Sequence, residues 1–294
     1  MKYLPEFEYL VPGSVTELCS LLNLHGSEAC ILAGGTDLLV RLKREEISPK
    51  YVLDIGRINE LSAVCDEGNH IFIGATATHS QVAESPLIKR EAALLSEAAS
   101  SVGSVQIRNS GTIGGNIANA SPAGDTLPTL VTLEAEAQVV RQGGERSVPL
   151  FALFSGPYQT TLAPDEFLAG VRFPKLTSKS GTCFLKLGRR RALAVSRITV
   201  AVILALDGKG LIQKARICPG AVLPSPCRIG QAEESLLGFS PDKGLFKKAG
   251  QWVAREVVRV TGRRASTPYK EPVLINLVER ALTLASERCL KREG

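Results

Sequence analysis

The chain has 294 residues and a formal net charge of +6, enough length for two or three compact domains and a sizeable core. Its apolar and charged fractions, 44% and 22%, are those of a globular protein, and no apolar run approaches the roughly 20 residues of a membrane span. The basic residues are dispersed, and the dense cluster Arg189-Arg190-Arg191 lacks interleaved aromatics for stacking bases, so no nucleic-acid partner is expected.

Met1-Lys2-Tyr3-Leu4-Pro5-Glu6-Phe7 lacks the basic-then-apolar pattern of a secretory signal, and a cytoplasmic location is expected. Downstream, Ser14 and Glu17 fit a capping box, and Val15, Leu18, Leu21 and Leu22 recur on one face, which predicts an amphipathic helix ending near His25-Gly26. Ala29 to Ala33 reads as a buried strand that delivers the pair Gly34-Gly35, and Tyr51 to Ile55 as a second strand. Helix, strand, loop and strand make a small α/β lobe over residues 1–56.

A second lobe is expected over residues 57–176. Ile71 to Ala75 is a strand, and Thr78-His79-Ser80-Gln81 leads into a helix over Val82 and Ala83, where His79 reads as a polar residue at a helix entrance. From Ile88, the positions Ala92, Leu95, Ala99 and Val102 predict one continuous helix. It delivers the chain to SVQIRNSGTIGGNIANASPAGDTLP, Ser104 to Pro128. Gly111, Gly114 and Gly115 can take positive φ and remove the Cβ barrier to close approach, so their amides can converge on an anion such as a pyrophosphate. A glycine-rich turn with no ligand is the alternative. Neither glycine pair fits G-x-G-x-x-G, and no G-x-x-x-x-G-K-[ST] loop occurs, so a dinucleotide held here sits in another fold.

Asp125 precedes a short helix and reads as its N-cap or, beside a phosphate loop, as an acceptor for ribose hydroxyls. Ala137 to Arg141, Gly143-Gly144 and Ser147 to Leu150 form a hairpin, and Phe167 to Pro174 a further strand. From about Ser178 the texture changes, marking a third unit over residues 177–294. Cys183 to Leu187 is a strand, and Ile198 to Leu206 turns at Asp207-Gly208 and returns through Leu211 to Cys218. Helices follow, one carrying Trp252, Val253, Val257 and Val258, another Leu274 to Leu284, which predicts a small antiparallel sheet backed by helices. The seven cysteines (Cys19, Cys30, Cys65, Cys183, Cys218, Cys227 and Cys289) form no C-x-x-C pair, and His25, His70 and His79 stand apart from them, so no metal or iron–sulfur site is expected in the chain.

Ala33 to Leu39 (AGGTDLL), Thr112 to Asp125 (TIGGN and SPAGD), Phe184 to Arg191 (FLKLGRRR) and Gly262 to Lys270 (GRRASTPYK) occur in an order and spacing that resemble the FAD-binding medium subunit of the molybdenum hydroxylases, the family of xanthine dehydrogenase and carbon monoxide dehydrogenase. The resemblance runs over nearly the whole chain. It implies an α+β fold: a two-lobed FAD domain of the vanillyl-alcohol-oxidase or p-cresol-methylhydroxylase type, then a C-terminal domain of a three-stranded antiparallel sheet with a helical bundle. It further implies that Leu32, Ala33, Gly34, Gly35, Thr36, Asp37 and Leu38, with Thr112, Ile113, Gly114, Gly115 and Asn116, bind the FAD pyrophosphate between the lobes. Asp125 matches a carboxylate on the adenosine side. Leu168 and Lys186 match an apolar cover and a cation near the isoalloxazine ring, and Val102 a position where some relatives carry an aromatic.

The same resemblance implies two partners, a molybdenum-cofactor large subunit that oxidises the substrate and a 2Fe–2S small subunit that feeds the flavin. No residue of this chain is then expected to be catalytic toward the hydroxylated substrate. A xanthine-dehydrogenase-like enzyme of the purine or aldehyde type is the leading expectation. Arg191 is followed by Ala192-Leu193-Ala194, where the xanthine branch often has acidic residues, which puts NAD in doubt as the electron acceptor. The cysteine-rich loop of the benzoyl-CoA reductase branch is missing. Two other readings are a free-standing flavin oxidase on the same fold, which needs its own acid or base over the ring, and a non-redox FAD- or nucleotide-binding assembly protein.

Overall fold

In a computed structural model, which describes residues 4–177, 179–190 and 193–291, the first sheet is parallel, with β1 (Glu8–Leu10) and β2 (Ala29–Leu32) flanking β3 (Tyr51–Asp54). Part of the N-terminal stretch, Ser178, and Arg191-Ala192 of the basic segment lie outside the described residues. Between β1 and β2 runs α1 (Val15–His25), begun by Ser14, whose hydroxyl accepts the Glu17 amide at 3.1 Å. The Glu17 carboxylate returns to the amide of Gly13, at 2.7 Å, so the reciprocal bond falls one residue before the cap. Leu18 and Leu22 are buried, and Gly26, at φ +51°, ends the helix. β2 is half-buried rather than buried, because it is the sheet edge and one side faces an open cleft. The glycine pair leads into α2 (Leu38–Lys43), which completes the second parallel crossover.

The second sheet is antiparallel. It contains β4 (Val64–Asp66), β5 (His70–Gly74), β6 (Glu136–Arg141) and β7 (Gly144–Pro149). After α9 (Leu150–Leu153) and the small hairpin β8 (Phe154–Gly156) and β9 (Gln159–Thr160), β10 (Phe167–Pro174) enters the middle of that sheet, between β5 and β6. Phe167 at its start is 1% exposed and packs into the core of the first lobe, tying the two sheets together.

Helices α3 (His79–Glu84), α4 (Pro86–Glu91), α5 (Ala93–Ser100), α6 (Val105–Ser110), α7 (Ile113–Asn119) and α8 (Thr126–Thr132) fill the segment between β5 and β6. The continuous helix expected from Ile88 is two helices. Ile88, Ala92, Leu95 and Ala99 are all fully buried as the spacing requires, but Ala92 leaves helical geometry at φ −145° and ψ 54°, and its amide closes α4 on Ile88 O at 2.8 Å. Val102 follows the second helix.

In the C-terminal part, β11 (Ser180–Gly188), β12 (Ser196–Leu206) and β13 (Ile212–Gly220) form an antiparallel sheet in chain order. The turn after β12 is longer than an Asp-Gly pair: Asp207 Oδ1 accepts the amides of Lys209 and Leu211, and Gly210 takes the positive φ of 77°. Alternation along β12 sends Val200, Val202 and Leu204 toward α11 (Lys243–Thr261) and α12 (Thr267–Lys291), and Ala201 and Ile203 toward the helices of the second lobe. Burial on both faces explains the unbroken apolar run. A short helix, α10 (Gly230–Glu234), carries Glu233, whose carboxylate accepts from the Ile217 amide at 2.8 Å and from Arg228.

Candidate functional site

The edge of the parallel sheet and the N-terminal end of α7 face one another across a cleft of about 480 Å³, within the usual range for small-molecule sites. Ala33, Gly34, Gly35, Thr36, Asp37 and Leu38 form one wall. Gly34 touches the other wall directly: a Cβ there would lie 1.8 Å from Ser110 O and 3.0 Å from the Cα of Gly111. Gly35 turns the chain at φ +69°. Among the described residues the amides of Gly34 to Leu38 have no hydrogen-bond acceptor, and Asp37 makes no side-chain cap to α2. This leaves a run of backbone donors open to the cleft.

The opposite wall is built differently. Gly114 and Gly115 lie in the first turn of α7, and neither they nor Gly111 has positive φ. Their amides are occupied: Gly111 donates to Ile107 O, Gly114 to Ala75 O at 2.8 Å, and Gly115 to Thr112 Oγ1 at 3.0 Å. The expectation that these glycine amides converge on an anion is therefore corrected. What this wall offers is side chains. Thr112 Oγ1 accepts from Gly115 and has no recorded acceptor for its own proton, and Asn116 accepts through Oδ1 from Thr126 Oγ1 at 2.7 Å, leaving its Nδ2 donors unpaired.

Leu168, on β10, and Val102 add apolar surface. Strand alternation sends Phe167 into the first lobe's core and Leu168 to the other face, and both reach the cleft wall; the register with β6 shifts just after them, between Leu168 and Gly170. Four predicted residues, Leu32, Ile113, Asp125 and Lys186, do not line this cleft. Leu32 lies behind Gly35, and Ile113 is fully buried in the second lobe's core.

Asp125 and Lys186 pair with each other. Lys186 Nζ lies 2.5 Å from Asp125 Oδ2 and donates to Ser101 O at 2.8 Å, and Ser196 donates to the other Asp125 oxygen. Asp125 stands at the start of α8 without capping it. Burial pushes its pKa up, and Lys186 and Ser196 pull against that shift. Lys186 lines a neighbouring cavity of about 820 Å³ together with Ser101, Gly103 and Arg108. Since Val102 lines the first cleft, the two spaces meet at residues 101–103.

Sequence reasoning missed Arg41, Ile107, Asn119, Glu166 and His79, all on the cleft wall. Glu166 is held by both nitrogens of the Arg146 fork at 2.7 Å and by the Ala163 amide, which keep its pKa below the usual value. His79 is 3% exposed, and burial, with Arg108 nearby, pushes its pKa down to about 4. Only its place at the helix entrance was visible in the sequence, because the direction of a first-turn side chain depends on what packs beneath it.

A cleft with unpartnered amides at one wall, side-chain donors at the other and apolar cover from Leu168 and Val102 suits a dinucleotide with a pyrophosphate between two flat ends. These features define a dinucleotide-binding protein outside the G-x-G-x-x-G type. Residues 5–176 match the family model described as the FAD binding domain in molybdopterin dehydrogenase, and residues 184–285 that of the CO dehydrogenase flavoprotein C-terminal domain. The chain belongs to this family, the FAD-binding subunits of the molybdenum hydroxylases, and its cofactor is FAD. It is 33% identical to the carbon monoxide dehydrogenase medium chain of Hydrogenophaga pseudoflava, over 97% of this chain and 99% of that one. A solved carbon monoxide dehydrogenase from the same organism superposes with a TM-score of 0.91 at 32% identity, covering 98% of this chain and 99% of that one. The nicotinate dehydrogenase FAD-subunit of Eubacterium barkeri is 35% identical over 79% of this chain and 80% of its own length, and the glyceraldehyde dehydrogenase medium chain of Sulfolobus acidocaldarius 31% identical over 95% and 98%.

Proposed function

We propose that the chain is the electron-transfer subunit of a molybdenum hydroxylase, taking electrons from a 2Fe–2S subunit and passing them to NAD or another acceptor, while a molybdenum-cofactor subunit oxidises a purine or an aldehyde as in xanthine dehydrogenase. The observation that carries this reading is the cleft, whose unpartnered backbone and side-chain donors suit a pyrophosphate. Similarity to a glyceraldehyde dehydrogenase medium chain favours the aldehyde side.

Bound FAD supplies the ability to accept electrons singly and release them in pairs. The chain's residues supply the rest. The Gly34–Leu38 amides, Thr112 and Asn116 hold the pyrophosphate; Leu168 and Val102 shield the ring end from water. Lys186, anchored by Asp125, brings a cation to the cavity beside that end. The divisions 1–56, 57–176 and 177–294 belong to this reading; three apolar cores follow them in the main, with Ile58, Leu61 and Phe167 crossing into the first and Phe184, Ala201, Ile203 and Cys218 into the second. A cytoplasmic location belongs to it too: the seven cysteines are free and, among the described residues, no helix is long and apolar enough to cross a membrane.

The test compares the chain alone with the chain assembled with its molybdenum and iron–sulfur partners. Alone, it is expected to bind reducible FAD and turn over no aldehyde or purine. In the complex, adding substrate anaerobically should bleach the flavin, and omitting the iron–sulfur chain should abolish the bleaching. Turnover by the isolated chain would instead establish a free-standing flavin oxidase.

A further inference from the structure

His79 is a polar residue of the cleft wall that the fold itself does not use. Its backbone is fixed: the amide donates to Gly111 O at 3.0 Å, and Thr78 and Gln81 close a capping box around it. The imidazole Nδ1 is buried with no partner among the described residues. A buried N–H without an acceptor is rarer and costlier than an unused lone pair, so the ring proton belongs on Nε2.

Nε2 is covalently next to Cδ2, and Cδ2 marks where the ring edge lies. A Cβ on Gly111 would meet His79 Cδ2 at 3.3 Å and Thr36 Oγ1 at 3.4 Å. The imidazole edge, the Thr36 hydroxyl and the Gly34–Gly111 contact therefore converge on one spot, beside the unpartnered amides of Gly34 to Leu38. Nε2 has no recorded partner and, unlike Nδ1, is not enclosed, in a residue that lines the cleft. The carbonyls of Ser110 and Ile107 also lie there, the latter accepting from the Gly111 amide, while the Thr36 hydroxyl and the imidazole edge are able to donate.

We propose that His79 is a ligand of the FAD pyrophosphate, its Nε2–H donating to a phosphate oxygen and completing from the second lobe a cradle whose first-lobe side is the backbone of Gly34–Leu38. The assignment rests on the placement of FAD in this cleft. The ring acts as a neutral, pre-positioned donor, since burial keeps it from charging near neutral pH. The unused Nδ1 lone pair is what fixes the tautomer.

The test titrates FAD into the flavin-free full chain by fluorescence quenching, for the wild type, His79→Leu, His79→Gln and Asn116→Asp, and records imidazole 15N spectra of the wild type with and without FAD. Leucine fills the space without a donor, whereas glutamine returns an N–H close to the Nε2 position. His79→Leu is expected to raise the FAD dissociation constant about tenfold, and His79→Gln to recover most of it. The spectra should show the Nε2–H tautomer, shifted on adding FAD. Loss of affinity in Asn116→Asp but not in His79→Leu would overturn the His79 assignment and keep the cleft. Unchanged affinity in both would overturn the placement of FAD in the cleft, and the assignment with it. If His79→Leu does not fold, the spectra decide: an Nδ1–H tautomer, or no shift with FAD, overturns the proposal.

Discussion

The two glycine pairs, Gly34-Gly35 and Gly114-Gly115, look alike in the sequence, each within two residues of a threonine, yet their amides are used differently. At the first pair Gly34 passes against Ser110 O and the Gly111 Cα, Gly35 turns at φ +69°, and the amides have no partner among the described residues. At the second the chain enters α7 against β5, and the amides bind Ala75 O and Thr112 Oγ1. Gly114 is required by packing, since a Cβ there would sit 2.4 Å from the Ala75 Cβ. A glycine pair thus announces a close approach, and only the partner of each amide tells whether the approach is to a ligand or to the chain's own backbone.

The strongest way to break the comparison is Gly34→Val. Its Cβ would fall 1.8 Å from the backbone oxygen of Ser110, which no side-chain rotation relieves, so the two walls must separate. We expect a loss of about 3 kcal/mol of stability or more and purification without FAD, checked by thermal melting and released-flavin analysis. Stoichiometric flavin in this variant would mean that the wall contact at Gly34 is dispensable.

Within the second pair, neighbouring glycines should separate. Gly114→Ala is expected to cost about 2–3 kcal/mol, read as a lower denaturant midpoint, with FAD lost only in proportion to unfolding. A Cβ on Gly115 meets only Thr112 Oγ1, at 2.9 Å, and the residue is exposed to the cleft. Gly115→Val should therefore change stability by less than about 1 kcal/mol while its branched side chain blocks the cleft and abolishes FAD binding. Retained stoichiometric flavin would remove α7 from the cofactor's path.

Asn116→Asp is a smaller change that acts on charge. Oδ1 already accepts from Thr126, so a carboxylate keeps that bond and loses the Nδ2 donors. Placing a negative charge beside a pyrophosphate should weaken FAD about a hundredfold, or about 3 kcal/mol, and the loss should shrink as salt is raised. Unaltered affinity would mean that the phosphates lie elsewhere.

Local chemistry accounts for what was legible in the sequence. Ser14 marked a helix start, Gly26 its end, Asp207 a hairpin, and the apolar run Ile198 to Leu206 a strand. The three-residue strand Glu8–Leu10 was missed because it has too few residues for a period and exists only by pairing with β3. The break at Ala92 was missed because buried positions keep helical spacing across it. In the site, the glycines located the cleft, but whether an amide is free, whether Lys186 is paired with Asp125, and which way His79 faces are tertiary facts.

Thr112→Val is the finest probe, because one hydroxyl stands on both sides of the comparison. It accepts from Gly115 N, as a helix cap, and its own proton has no acceptor among the described residues. Removing the cap should cost about 1 kcal/mol, and removing the donor should weaken FAD roughly five- to tenfold. Thr112→Ser keeps both functions and should restore both measurements. If valine lowers the melting temperature and leaves FAD affinity within twofold of wild type, the hydroxyl serves the helix alone. The second wall then binds through Asn116, and the division of labour is sharper still: backbone donors on one side of the cleft, a single side-chain amide on the other.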